Sequence, residues 1–307
     1  MKAVISSAPD PSISSCTARE RRQRRRRERT QIVMLITMGA GLVVTLGFLL
    51  LMLGFIGWRG LPVVNWAFLT QMPRRGMTEG GILPAILGTF WLTVGSMAVA
   101  GLLGVASAVY LAEYARQGFA LRLIRTGVAN LAGVPSVVFG LFGLAVFVKA
   151  MRLGVSILSG ALTLAIVVLP TIIRSSEEAI MAVPGSYREA SLALGATKWQ
   201  TVRYAVLPSA FPGILTGFIL SIARAMGETA PIMLTAATFF TASLPHSPFD
   251  EVQALAYHIF ALVTEGTRPE AQTPMAFGTA VVLMAMVIGM NLIATSLRAR
   301  YEKKRAR

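Results

Sequence analysis

Residues 184–208 read PGSYREASLALGATKWQTVRYAVLP, and residues 209–228 continue as SAFPGILTGFILSIARAMGE. The first stretch is polar and contains two helix-start signals. The second is apolar and places Arg224 and Glu228 one helical turn apart. The pattern predicts a water-exposed loop with two short helices, followed by a membrane-spanning helix that carries charge. It indicates a transporter driven from one side of the bilayer.

The composition also indicates a membrane protein. Hydrophobic residues make up 54% of the 307 residues and charged residues only 14%, whereas about a quarter of the residues in soluble domains are charged. A net charge of +15 is compatible with nucleic-acid binding. However, the basic residues cluster beside apolar runs, at 19–29 and 298–307. This placement favours topology signals and attraction to anionic membrane lipid, with no nucleic-acid partner.

Apolar runs with few or no charges predict six transmembrane helices, because a span needs about 20 apolar residues. The predicted spans are 31–58, 81–111, 128–148, 155–173 (interrupted by Pro170), 210–237 and 275–297. The expected fold class is therefore an all-α polytopic membrane protein. The predicted organisation is a basic disordered cytoplasmic tail at 1–30, a first transmembrane helix with an outer loop at 31–80, a transmembrane core at 81–297 with a cytoplasmic loop at 174–208, and a basic cytoplasmic tail at 298–307.

Proline and glycine at 132–143 leave two alternatives open, a packed helix kink or backbone that lines a water-filled cavity. An even number of spans places both termini on one side of the membrane. That side holds most of the arginines and lysines, so both termini and the loop 174–208 are expected in the cytoplasm.

The loop contains ordered helix signals. Ser186 and Glu189 fit a capping box, Gly195 fits the residue after a helix end, and Thr197 with Gln200 fits a second capping box that opens a helix ended by Pro208. A helical hairpin lying on the membrane surface is an open alternative. A DNA-binding helix-turn-helix is disfavoured because the bilayer holds both ends of the loop.

Arg224 and Glu228 are expected to pair within the membrane, where charged residues are costly and usually functional. The alternative is a closed ion pair that only fixes helix packing. His246 and His258 show no metal-ligand spacing and are interpreted as ordinary loop residues. The sequence contains no Walker A motif and no catalytic Ser/His/Asp set or HExxH motif, so we expect no cofactor, no metal and no enzymatic site.

Glu189-Ala190-Ser191, Gly195 and Leu207-Pro208 resemble the E-A-A-x3-G-x9-I-x-L-P loop of ATP-binding-cassette (ABC) importer permeases. Ser191 replaces the second alanine, and Ala205 stands where the family often has isoleucine. The resemblance implies a type I importer permease fold. It also implies that the first short helix docks into a groove on an ATP-binding subunit through Glu189, Ala190, Ser191 and Gly195.

Three further stretches resemble the PstA family of phosphate importer permeases over roughly residues 80–297. They are AGVPSVVFGLFG from Ala132, LPTIIRSSEEA from Leu169 and RAMGETAPIM from Arg224. The resemblance implies an inner-membrane subunit that forms half of a phosphate pathway lined by Arg174, Arg224 and Glu228. The implied partners are a PstC-like second permease, PstB-like ATP-binding subunits that hydrolyse the ATP, and a PstS-like periplasmic phosphate-binding protein.

Two other classes stay open at this point. One is a permease for another oxyanion, such as sulfate or molybdate. The other is an ion-coupled secondary transporter or an anion channel, which also accommodates buried arginine and glutamate. A docking loop for an ATPase distinguishes the importer from this second class.

Overall fold

The computed structural model describes residues 11–239, 241 and 244–305. Its contacts divide the chain into two units that meet between Phe55 and Ile56. The first unit contains most of helix α1 (Pro11–Gly60), whose segment Thr30–Gly60 is long and apolar enough to span a membrane. Apolar side chains such as Leu35, Val44 and Leu50 are exposed along it, as expected of a helix that faces lipid or another subunit.

Helix α1 differs from the expectation of a disordered tail at residues 1–30. The helix already begins at Pro11. Proline is favoured at the first helical position, and the arginine-rich segment that follows contains no further proline and no glycine. The part of the predicted tail at 1–10 lies outside the described residues.

The second unit is a helix bundle with one small hairpin. Its elements are α2 (Trp66–Thr70), β1 (Pro73–Arg74), β2 (Glu79–Gly80), α3 (Leu83–Val109), α4 (Phe119–Leu131), α5 (Ser136–Gly143), α6 (Ile157–Met181), α7 (Gly185–Ala193), α8 (Lys198–Thr201), α9 (Leu207–Gly227), α10 (Ala230–Thr235), α11 (Leu255–Thr264) and α12 (Pro269–Arg305). Three π-helical turns extend α3, extend α5 and join α8 to α9, at Tyr110–Tyr114, Leu144–Ala150 and Val202–Val206.

The all-α polytopic fold predicted from the sequence is confirmed. In the described part of the chain, five helices are long and apolar enough to cross a membrane, and the pair α4–α5 adds a sixth if it is counted as one broken span. The span expected at 128–148 is broken, because α4 and α5 meet at a bend of 98°. The bend lies at residues 132–135, where Gly133 and Pro135 interrupt the helix. Arg122 and Arg125, which lie between the predicted spans 81–111 and 128–148, are within α4.

Proline residues do not end the helices in the way the sequence predicts. Helix α6 passes through Pro170 without a break and extends to Met181, so Arg174 lies inside the helix. The helix that begins at Lys198 continues past Pro208 to Gly227. The π-turn just before Pro208 widens the helix where this residue has no amide hydrogen to donate.

Helices α3, α6 and α9 form the centre of the bundle, with Ala100, Val168 and Ala225 in one buried cluster. Gly217 of α9 packs against Ser175 of α6. Gly213 likewise packs against Ala179, so the two helices run antiparallel at close range. Small residues are typical of such crossings in membranes, because dispersion contacts between close backbones stabilise them.

The connection predicted as a loop at 238–274 contains α11. The amide of Leu255 donates a hydrogen bond to Thr89 Oγ1 of α3 over 2.8 Å, and this bond fixes the start of α11 on the bundle. Residues 73–80 form the β1–β2 hairpin, in which Pro73 pairs with Gly80. These elements lie at the end of the bundle opposite α7, since α7 follows the other end of α6.

Candidate coupling surface and charged pathway

Helix α7 carries the E-A-S segment, and most of its surface is exposed. Glu189 and Ala190 are exposed, and Ser191 is half-buried. The predicted first capping box is wrong, because the helix is capped at Pro184 and, among the described residues, no side chain bonds to its first amides. The fixed φ of proline positions the chain for a helix start without a polar cap. The carboxylate of Glu189 therefore stays available for a partner.

The second capping box is confirmed at the start of α8. Thr197 Oγ1 accepts a hydrogen bond from the amide of Gln200 at 3.3 Å, and Gln200 Oε1 accepts one from the amide of Thr197 at 2.7 Å. Gly195 has φ +82, so it adopts the left-handed conformation expected after a helix end. Both helices of the loop therefore have defined ends and a defined turn between them.

Ser191 also has a structural contact that the sequence did not predict. The hydroxyl groups of Ser191 and Thr201 lie 3.0 Å apart and join α7 to α8. Alanine, which the importer permeases usually have at this position, offers no such bond. The departure from the motif thus adds a bond that holds the two short helices together.

Exposed apolar side chains surround the E-A-S segment. Tyr187, Leu192 and Trp199 are about half exposed, and Leu194 is 90% exposed. A cluster of exposed aromatic and aliphatic side chains beside one carboxylate has the character of a protein-protein contact rather than a solvated loop. The geometry therefore favours a docking surface for another subunit.

Arg224 and Glu228 meet at the end of α9. Arg224 lies in its last turn and Glu228 is the C-cap residue, after which the backbone turns into α10. Arg224 Nε lies 3.4 Å from Glu228 Oε1, and their side chains are 36% and 15% exposed. A charge-assisted hydrogen bond is usually 2.7–2.9 Å long, so this pair is loose. A closed pair that only fixes helix packing is expected to be shorter.

The guanidinium group of Arg224 retains binding capacity. Within the described ranges, its two terminal nitrogens donate no hydrogen bond to the protein. The start of α10, directly after the interruption, is packed against α5, where Gly140 lies against the backbone of Ala230 and Pro231. Non-helical backbone at membrane depth is tolerated where it is buried in protein or lines a cavity. The site therefore combines a half-exposed cation with an irregular backbone.

Arg174 lies apart from this pair. It is exposed on α6 beside a cavity of about 230 Å³ that is also lined by Arg125 and Glu177. Ser175 and Gly217 lie at the same level where the two antiparallel helices cross. From that level, Arg174 is one residue away and Arg224 seven residues away in the same direction. The two arginines therefore differ in depth by about 9 Å at 1.5 Å per residue. The structure brings Arg224 and Glu228 together and does not join Arg174 to them.

Two largely buried carboxylates were not predicted as ion-pair partners from the sequence. Glu177 forms an ion pair with Arg125, and Glu113 forms one with Arg188, each with an N–O distance of 2.6 Å. A signal for both exists in the sequence. Each glutamate follows a long apolar run and therefore has to find a basic partner at the end of a membrane helix.

The two histidines occupy different environments. His246 is exposed, and its amide and that of Ser247 both donate to Asp250 Oδ2 at 2.8 Å, which lowers the pKa of Asp250. His258 is only 3% exposed on α11, so its interpretation as an ordinary loop residue is wrong. Its burial follows from helical spacing, because Leu255 and Leu262 lie three residues before it and four residues after it and are buried on the same face of this ten-residue helix. Burial lowers the pKa of His258 to about 4.

Taken together, the fold and the exposed two-helix loop define a membrane permease of the ABC importer class. The family model described as "Binding-protein-dependent transport system inner membrane component" matches residues 100–307. The chain belongs to this family and is a multi-pass inner-membrane component of a binding-protein-dependent transport system.

Relatives agree with this assignment, and a solved structure agrees with the fold. The chain is 35% identical over 256 residues to the probable ABC transporter permease protein YqgI of Bacillus subtilis, covering 80% of this chain and 87% of the relative. It is 36% identical to the phosphate transport system permease protein PstA 1 of Mycobacterium tuberculosis, covering 79% of each chain. Its fold resembles a bacterial alginate ABC transporter structure with a TM-score of 0.62 at 14% identity, covering 90% of this chain and 96% of that one.

Proposed function

We propose that this chain is the transmembrane permease subunit of an ATP-driven phosphate importer and forms half of its translocation pathway. One observation carries the proposal. A single helix from Lys198 to Gly227 begins in the exposed two-helix loop and ends at the loose pair of Arg224 and Glu228. It connects a surface suited to a motor subunit with a site suited to an anion.

The coupling half of the proposal concerns α7. Glu189, Ala190, Ser191 and Gly195 form the contact with an ATP-binding subunit. The exposure of Glu189 and of the apolar side chains around it supports this role. ATP is hydrolysed on that partner, and the permease converts the movement of the docked loop into a change at the pathway.

The substrate half concerns the charged groups. Arg224 grips the oxyanion through its planar guanidinium group, which can donate two parallel hydrogen bonds. Glu228 balances this charge when the path is empty. It also accepts a hydrogen bond from a protonated phosphate oxygen, which sulfate lacks at neutral pH. Arg174 receives the anion about 9 Å further along the bundle and passes it onward.

The remaining assignments follow from the relatives. Several are named as phosphate transport permeases of the PstA type. We assign as partners a PstC-like permease that completes the pore, PstB-like ATP-binding subunits and a PstS-like periplasmic phosphate-binding protein. Both termini lie in the cytoplasm, on the side of α7, where ATP is available.

The deciding experiment measures uptake in vesicles that contain the whole complex and its binding protein. Radiolabelled phosphate is compared with sulfate and molybdate, with and without ATP. We expect uptake of phosphate that requires ATP. Uptake of sulfate or molybdate instead identifies another oxyanion importer, whereas uptake driven by an ion gradient without ATP overturns the ATPase coupling.

A further inference from the structure

Arg188 precedes Glu189 but points in the opposite direction, into the bundle. Its Nε and one terminal nitrogen donate to Glu113 Oε1 at 2.9 and 2.6 Å. The side chains of Arg188 and Glu113 are only 25% and 9% exposed. Within α7, Glu189 therefore faces outward, whereas the adjacent Arg188 faces α3.

Arg188 also bonds to the end of α6. It donates to the carbonyl oxygen of Val183 at 2.7 Å and to that of Ile180 at 2.9 Å. The last carbonyl groups of a helix have no partner within the helix, and a guanidinium group there donates hydrogen bonds to them. Its positive charge also interacts favourably with the negative end of the helix dipole. One side chain therefore ties α7 to the end of α6 and to Glu113.

Glu113 lies in the π-turn Tyr110–Tyr114 that extends α3. The next residue, Tyr114, is contacted from the other short helix of the loop, because Lys198 Nζ lies 4.9 Å from the centre of its ring. Both α7 and α8 are thus attached to consecutive residues of the same turn. π-Turns inside long helices occur frequently at functional sites, where they interrupt the regular ladder.

We propose that Arg188 is a positioning residue for energy coupling, which transmits the movement of α7 to α3 through Glu113 and to α6 through its terminal carbonyl groups. This inference rests on the proposed function. Arg188 contacts no substrate, and it acts by making α7 and the ends of α3 and α6 move together. Loss of the link leaves the docking surface of α7 in place but disconnects it from the bundle.

The geometry of the guanidinium group is required for this role. Three nitrogens of Arg188 reach three different acceptors. A lysine keeps the positive charge but presents a single nitrogen on a flexible chain and cannot hold the same set of acceptors. Arg188→Lys therefore separates the linking role from a simple requirement for positive charge.

The test uses the whole importer complex in proteoliposomes with its binding protein, and measures phosphate imported per ATP hydrolysed. The variants are Arg188→Lys, Glu113→Gln and the double variant. The control is Arg116→Gln, which removes an exposed arginine only two residues beyond Tyr114. The amount of assembled complex in the membrane is measured for each.

We expect Arg188→Lys and Glu113→Gln to retain ATP hydrolysis within about twofold. Each variant breaks part of the hydrogen-bond network of Arg188, so it should lower the phosphate-to-ATP ratio about tenfold. The double variant should be no worse than the more impaired single variant, because both remove the same link. Arg116→Gln should keep the ratio of the wild type.

An unchanged ratio in Glu113→Gln, or additive losses in the double variant, overturns the proposal. If Arg188→Lys does not assemble, Glu113→Gln alone decides. A wild-type complex that couples ATP to another anion contradicts the substrate assignment but leaves this link testable with that anion, so the two failures are distinguishable.

Discussion

Gly217 of α9 lies against the side chain of Ser175 on α6, and a Cβ atom at residue 217 would overlap that hydroxyl group. Gly217→Ala should therefore destabilise the bundle by about 1–3 kcal/mol, the usual effect of overpacking. Thermal unfolding in detergent measures the change. Ser175→Gly in the same chain removes the clash and should restore the midpoint.

The matched control is Gly127→Ala in α4, where an added methyl group meets no atom of the described residues within 4 Å. Alanine favours helix there by about 1 kcal/mol, so this variant should unfold at the same temperature as the wild type or higher. Equal destabilisation at both positions would contradict the close crossing of α6 and α9.

Arg224→Gln should lower phosphate uptake to near background while the complex still assembles. Glutamine keeps two hydrogen-bonding groups but loses the charge, and a charged hydrogen bond is roughly twice as strong as a neutral one. We expect a fall in the uptake rate of about 100-fold, equivalent to about 2.7 kcal/mol. Uptake by proteoliposomes is compared with Arg116→Gln, and normal uptake in an assembled Arg224→Gln complex would show that the pair is structural.

Glu189→Lys should weaken the attachment of the ATP-binding subunits, because it reverses the only exposed charge of the E-A-S segment. Copurification of these subunits with the permease measures the effect. Glu189→Gln keeps the size of the side chain, so it should release a smaller share of the ATP-binding subunits than Glu189→Lys does. Full retention of the subunits and of ligand-stimulated ATP hydrolysis by both variants would rule out α7 as the docking helix.

Gly195 tests the shape of the same surface independently of charge. Its φ of +82 is unfavourable for a side chain, and left-handed backbone costs an L-residue about 1–2 kcal/mol. Gly195→Ala should therefore lower the rate of coupled transport more than Gly195→Asn, since asparagine tolerates this conformation better. The reverse order would show that the turn does not limit coupling.

The buried His258 predicts a pH dependence of stability. Its pKa is about 4 in the fold, against an ordinary value of 6.5. Between these values the unfolded chain binds a proton that the folded chain does not, so stability falls as the pH decreases from about 6.5 to about 4, by up to about 1.4 kcal/mol per unit. Unfolding midpoints at pH 4.5 and 7 measure this slope, and His258→Phe should reduce it whereas His246→Ala should not.

The helices that the sequence predicts well are those whose apolar runs end at charges. Helix α3 and the core of α12 are of this kind, since apolar length alone decides a membrane span. The positions of Arg224 and Glu228 one turn apart were also sufficient to predict that they meet.

The predictions fail where one local signal overrides another, or where the partner of a residue lies far away in the sequence. Ser186 and Glu189 have the spacing of a capping box, yet Pro184 starts the helix without them. Pro208 lacks an amide hydrogen, yet a π-turn carries the helix past it. The ion pair of Arg188 and Glu113 joins residues 75 positions apart, and no local pattern specifies such a partner.

The helix that runs from Lys198 to Gly227 is a lever. Its 30 residues measure about 45 Å at 1.5 Å per residue, so a tilt of about 5° about one end displaces the other by about 4 Å. That displacement exceeds the length of a hydrogen bond between Arg224 and a group on a neighbouring helix. A motor that rotates the Lys198 end by a few degrees therefore needs no rearrangement inside the membrane to change which groups Arg224 can reach.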